Sequence, residues 1–122
     1  MNNLTVHTIT AEVASYYRVN VNEIYSIRRH GNLIKYKHIA IYFIRHYLNL
    51  SLADTGRVFP GKKGYLDHAT IINAVKSVQN QYESNKLYRK EIDEIRLRFE
   101  AMAEDQRADL EEVFMEPDYF TN

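Results

Sequence analysis

The strongest constraint on this chain is the stretch Asp67-His68-Ala69-Thr70-Ile71-Ile72-Asn73-Ala74, which reads as the front of a helix with one wet end and one buried side. Asp67 is a good N-cap, because its carboxylate can accept the backbone N–H groups that a first turn leaves unpaired. Ile71, Ala74, Val75 and Val78 follow at helical spacing and supply an apolar stripe. His68, Thr70 and Asn73 stay at the exposed front, short hydrogen-bonding side chains suited to reading base edges from a helix in the major groove.

Helical periodicity recurs on both sides of that stretch. Val6, Ile9, Val13 and Tyr16 or Tyr17 predict a first helix of about three turns beginning near Thr5. Asn22, ahead of Glu23-Ile24-Tyr25, predicts the cap of a short second helix. The polar run Arg28-Arg29-His30-Gly31-Asn32 breaks the pattern, since Gly and Asn take backbone angles that a helix cannot. Ile34 to Leu48 is apolar almost all round, and its β-branched content would also suit a strand. Its length and its helical neighbours favour a central buried helix, although periodicity alone does not decide.

Ser51-Leu52-Ala53-Asp54 has the form of a capping box for a fourth helix running to about Phe59. Pro60-Gly61-Lys62-Lys63-Gly64 predicts a mobile, doubly basic connection, so Ser51 to Gln81 has the order helix, turn, helix. After Ser84-Asn85, residues Leu87, Tyr88, Ile92, Ile95, Leu97 and Phe99 mark a sixth helix starting near Lys86. Leu110, Val113 and Phe114 could add an amphipathic turn or two, and a disordered end is expected around Pro117. The expected fold is all-α: a compact helical domain with a helix-turn-helix over residues 1–99, then an acidic extension over residues 100–122, helical or disordered.

The formal net charge of zero conceals an asymmetry. Residues 1–99 carry 15 Lys and Arg against 8 Asp and Glu, a net of +7, whereas residues 100–122 carry one Arg against 8 acids, a net of −7. A basic body suits a polyanionic partner, and an acidic end is most often solvated. Between Ile24 and Ala53 there is no acidic residue, while Arg28, Arg29, Lys35, Lys37 and Arg45 are all positive. That segment is a candidate phosphate-contacting surface, with ordinary solvated side chains as the plainer alternative.

Other chemistries fare poorly. There is no cysteine, which removes disulfides, thiolate metal sites and thiol nucleophiles and points to a reducing, cytoplasmic setting. The longest apolar run, Ile39 to Ile44, is far short of the ~18 residues a membrane span needs. His38 and His46 lie too far apart on a helix to share a metal without outside ligands, so no metal and no cofactor is expected. Asp67 and His68 are adjacent and act more naturally as cap and exposed donor than as an orienter and a base, so no catalytic site is expected. Ten tyrosines and five phenylalanines could stack on single-stranded bases, but most fall on faces expected to be buried.

From about Ile9 to Phe99 the chain resembles the C-terminal duplex-binding domain of the bacterial replication initiator family DnaA, a helix-turn-helix fold of the Trp repressor-like kind. The resemblance runs through Val13-Ala14-Ser15-Tyr16-Tyr17, Ile24-Tyr25-Ser26-Ile27-Arg28-Arg29, Lys37-His38-Ile39-Ala40-Ile41-Tyr42, Ser51-Leu52, Gly56, Phe59 and Asp67-His68-Ala69-Thr70-Ile71. It implies that Asp67, His68 and Thr70 sit where the family reads bases, and Ala69 and Asn73 on the same helix front complete the base-reading candidates. It also implies that Lys35 and Lys37 stand where the family has arginines in the loop that reaches the minor groove; Arg28, Arg29, Ser51, Lys62 and Lys63 are the further candidates for contact with the DNA backbone or the minor groove.

Three departures qualify the target. Ala69 stands where the family has the first threonine of Asp-His-Thr-Thr, leaving a methyl that can still touch a thymine methyl. Lysines at 35 and 37 replace arginines and lose the flat bidentate fork. The seven residues from Pro60 to Leu66 replace a shorter Gly-Gly-Arg connection. The family's ATPase domain is not part of this sequence, and Gly61-Lys62-Lys63-Gly64 lacks the spacing and terminal hydroxyl of the GxxxxGK[ST] phosphate loop, so no nucleotide is expected.

The expected function is therefore double-stranded DNA binding without ATPase activity, in replication initiation or transcriptional regulation. The competing reading is a protein-interaction or structural module that kept the fold and lost the DNA site. The acidic extension leaves room for a protein partner or self-association in either case.

Overall fold

A computed structural model describes residues 4–28, 31–62 and 64–121, with side chains described through residue 103. Helix α1 (Val6–Tyr17) opens on a reciprocal cap: the Thr8 N–H donates to the Thr5 hydroxyl at 3.1 Å, and the Thr5 N–H donates to the Thr8 hydroxyl at 2.7 Å. It buries Ile9, Val13 and Ala14 and closes at Arg18, whose φ of 58° is left-handed. Helix α2 (Val21–Tyr25) is capped by Asn20 rather than by Asn22, because the Asn20 side-chain Oδ1 accepts the Asn22 N–H at 2.8 Å. Asn22 thus lies inside the first turn.

The ambiguous apolar segment is helical. Helix α3 (Leu33–Leu48) buries Ile39, Ala40, Ile41, Phe43 and Ile44, and it packs at once against α1 and against the helix that follows Asp67. Burial on several sides rewards an all-round apolar helix and overrides the strand preference of its isoleucines.

Helix α4 (Leu52–Val58) starts at Ser51, whose hydroxyl accepts the Asp54 N–H at 3.0 Å. The Asp54 carboxylate turns to Arg57 at 2.5 Å, so only the serine half of the expected capping box forms. Beyond α4 the expected mobile connection is instead a small antiparallel hairpin, β1 (Pro60–Gly61) and β2 (Gly64–Tyr65), with Pro60 opposite Tyr65. Gly64 has a φ of 110°, a conformation that favours glycine. The hairpin is tied down at its exit, where the Leu66 N–H donates to the Gly56 and Phe59 carbonyls at 3.3 Å each. Gly56 permits this approach, since a Cβ there would lie 2.3 Å from the Leu66 carbonyl oxygen.

Helix α5 (His68–Ser84) begins at Asp67, whose carboxylate accepts the Thr70 N–H at 2.8 Å, and buries Ile71, Ala74 and Val78. Helix α6 (Lys86–Thr121) then runs through residue 99, so the extension begins as helix, and it continues past Pro117, where the sequence predicts an irregular end. Its Tyr88, Ile92, Ile95 and Phe99 enter the core, and Phe99 meets Phe43 edge-on with ring centres 5.0 Å apart. Among the described residues, no helix is long and apolar enough to cross a membrane.

Candidate nucleic-acid interface

Helices α4 and α5 with the intervening hairpin form the helix-turn-helix, and the core-facing stripe of α5 fixes which residues are left outside. Ile71, Ala74 and Val78 point inward, so His68, Ala69 and Asn73 are exposed and Thr70 is half-buried. The first-turn N–H groups and the helix dipole give this end a partial positive charge. Asp67 is exposed beside them, with its carboxylate engaged in the cap. The front of α5 therefore offers an imidazole, a methyl, a hydroxyl and an amide on one rigid turn.

The candidate backbone contacts divide into three kinds. Arg28 and Lys62 are exposed, and their side chains make no hydrogen bond or ion pair among the described residues. Ser51 is also exposed, its hydroxyl oxygen already accepting the α4 cap bond. Arg29 and Lys63 lie outside the described residues.

The two lysines of α3 depart from their expected roles. Lys37 is only 7% exposed, and its ammonium donates to the carbonyls of Ser26 and Arg28, the latter at 2.6 Å. It pins the loop before α3 from within, because a buried ammonium requires acceptors and the loop carbonyls provide them. Lys35 bonds Glu91 of α6 at 2.8 Å and lies 5.3 Å from the ring centres of both Tyr17 and Tyr88. Its charge is thus largely answered within the chain.

A narrow crevice of about 40 Å³ joins the pieces: Ile27 from the loop, Ile34 and His38 from α3, Pro60 and Lys62 from the hairpin, and Thr70 from α5 all line it. It has room for a few waters at most. The loop, the hairpin and the front of α5 therefore form one continuous surface. Two apolar residues of these connections are left in solvent. Ile27 is 60% exposed and Tyr65 is 64% exposed, so burial gives neither a reason to be apolar. Nothing in the local pattern distinguishes them from core residues.

The opposite side, where α6 crosses α1, is internally satisfied. The Tyr17 hydroxyl donates to Glu91 at 2.7 Å, the Tyr16 hydroxyl donates to Glu94, and Arg98 pairs with Glu12 at 3.1 Å. Burial, and then the neighbouring carboxylates, push the Tyr16 phenol up to about 12 and the Tyr17 phenol higher still. Among the described residues, no group of three or more His, Asp or Glu could hold a metal ion.

The family model for the bacterial DnaA protein helix-turn-helix matches residues 6–78, from the start of α1 into the last buried turn of α5. The chain is 33% identical over 96 residues to the chromosomal replication initiator protein DnaA of Wolbachia sp. subsp. Brugia malayi, covering 79% of this chain and 20% of that protein. It is 30% identical over 99 residues to the DnaA of Lactococcus lactis subsp. cremoris, covering 81% of this chain and 21% of that protein. The similarity to DnaA of Thermoanaerobacter sp. is 33% over 95 residues, covering 78% and 20% respectively. The chain thus spans about one fifth of the length of the curated relatives it matches. With a family match over most of the chain and α4 and α5 in the matching arrangement, this chain belongs to the bacterial DnaA helix-turn-helix family.

Proposed function

We propose that this chain is a cytoplasmic, non-catalytic module that binds double-stranded DNA with sequence preference, serving replication initiation or transcriptional regulation. The observation that carries the reading is the front of α5, where polar side chains stand exposed on a helix whose other face is locked into the core. In a major groove, His68, Thr70 and Asn73 would hydrogen-bond base edges, and the Ala69 methyl would meet a thymine methyl. Asp67, which caps this turn, would present its carboxylate to the same bases.

Arg28 and Lys62 would hold phosphates on either side of the groove, joined by Arg29 and Lys63 of the same loops. Ser51 stands at the start of the helix that crosses the backbone in this motif. Lys35 would contribute only after leaving Glu91, and Lys37 acts through the loop it pins. No nucleotide takes part in this binding.

The test is selection of bound duplexes from a random pool, followed by titration of a recovered duplex at several salt concentrations. A recovered sequence motif is expected, with affinity falling by about 0.9 log units per neutralised phosphate for each tenfold rise in salt. Absence of salt-dependent binding would leave the protein-interaction reading in its place.

A further inference from the structure

The seven residues between Phe59 and Asp67 do more than connect α4 to α5. Leu66 lines the crevice, whereas its neighbour Tyr65, the last residue of β2, is left in solvent. Tyr65 is 64% exposed, one of the largest apolar surfaces left in water anywhere in the described chain. A tyrosine combines an apolar ring with a hydroxyl at its tip, which suits a surface that is partly sugar and partly phosphate.

Its position is fixed as well as exposed. Tyr65 is two residues ahead of the α5 cap, and the next residue is bonded to both Gly56 and Phe59, so the end of the strand is anchored to the end of α4 directly before α5 begins. Phe59 is itself buried and stacked on Tyr25, with ring centres 5.7 Å apart. The facing strand leads into Lys62, an exposed cation that shares the crevice wall with Thr70. No acidic residue lies between Asp54 and Asp67, so nothing on this element repels a polyanion.

We propose that the hairpin 60–65 is an additional DNA-contacting element, in which Tyr65 packs on the deoxyribose-phosphate backbone beside the base pairs read by α5 and Lys62 neutralises a phosphate of the same strand. This inference rests on the duplex-binding reading above. The contact is to backbone, so it raises affinity for many sequences alike and lengthens the bound segment.

The experiment uses the full chain with a fluorescein-labelled duplex recovered from the random pool and a scrambled duplex of the same length. Y65A should weaken binding to both duplexes by roughly tenfold, about 1.4 kcal/mol, while the melting temperature stays that of the parent. Y65F should lose part of that effect, the share due to a hydroxyl-to-phosphate bond. Because the chain has no cysteine, Y65C can carry a single iron chelate that cuts nearby DNA. Cuts should fall at one edge of the segment protected by the protein. If the parent binds and Y65A matches it within twofold on both duplexes, or the cuts scatter along the DNA, the hairpin contact is wrong and the duplex-binding reading stands. If the parent itself binds neither duplex, both fall.

Discussion

The face where α6 crosses α1 and the face at the front of α5 use their polar groups in opposite ways. On the α6 side Glu91 answers both Tyr17 and Lys35, Arg98 answers Glu12, and Arg96 reaches Asp93 and the Tyr42 hydroxyl. At the front of α5, His68, Asn73, Lys62 and Arg28 have side chains without hydrogen bonds or ion pairs among the described residues. Charge committed to holding helices together is not available to a polyanion. The net of +7 counted over residues 1–99 therefore overstates what a duplex would meet, because Lys35, Arg96 and Arg98 are paired within the chain and Lys37 is buried.

The sharpest way to break this division is at Phe99, which is fully buried against Phe43 and Tyr47. Phe99→Ala should cost about 3–5 kcal/mol of unfolding free energy, read by urea titration, while the folded fraction binds duplex DNA as before. A loss of sequence preference in protein that is still folded would mean the two faces are coupled.

The reverse test is His68→Ala or Thr70→Ala, each expected to cost about 1–3 kcal/mol on a preferred duplex and little on random DNA, with the melting curve unchanged. Equal losses on both duplexes would move these side chains from bases to backbone.

Smaller effects separate the paired from the unpaired cations. Arg28→Ala should reduce the salt slope by about one, whereas Lys35→Ala should leave it nearly unchanged because Glu91 already holds that ammonium. A full unit lost at Lys35 would show that DNA draws it away from α6.

The smallest effect lies at alkaline pH. The Tyr16 and Tyr88 phenols are pushed up to about 12, both chiefly by burial. The unfolded chain releases these protons near pH 10 while the folded chain keeps them, so stability is complete below about pH 10 and declines as pH rises towards 12. Tyr16→Phe should flatten that decline in urea titrations across the range. A decline equally steep in Tyr16→Phe would assign it to other groups.

How much of this was legible in the sequence follows from how local each cause is. The cap at Asp67 and the stripe from Ile71 to Val78 involve neighbours within a few turns, and they are found where periodicity puts them. Asn20 and Asn22 are equally good caps by residue type, and only the backbone entering α2 chooses between them. The burial of Lys37 could not be read, because its acceptors are carbonyls, which every residue has. The partner of Lys35 lies 56 residues away, on a helix whose packing is tertiary. Two glycines in the hairpin suggest mobility by composition, yet the order comes from two carbonyls that accept the Leu66 N–H.

The close meeting of Gly56 with Leu66 also bears on how such a chain can diversify. The peptide leaving α4 is brought back to the same spot before α5 begins, whatever lies between the two anchoring points. Length and composition between Pro60 and Tyr65 can thus change by insertion or exchange while α5 keeps its seat on α3. Descendants could acquire tighter binding or a longer footprint by replacing this short segment, as one changes the bit of a tool and keeps the handle, provided position 56 remains glycine.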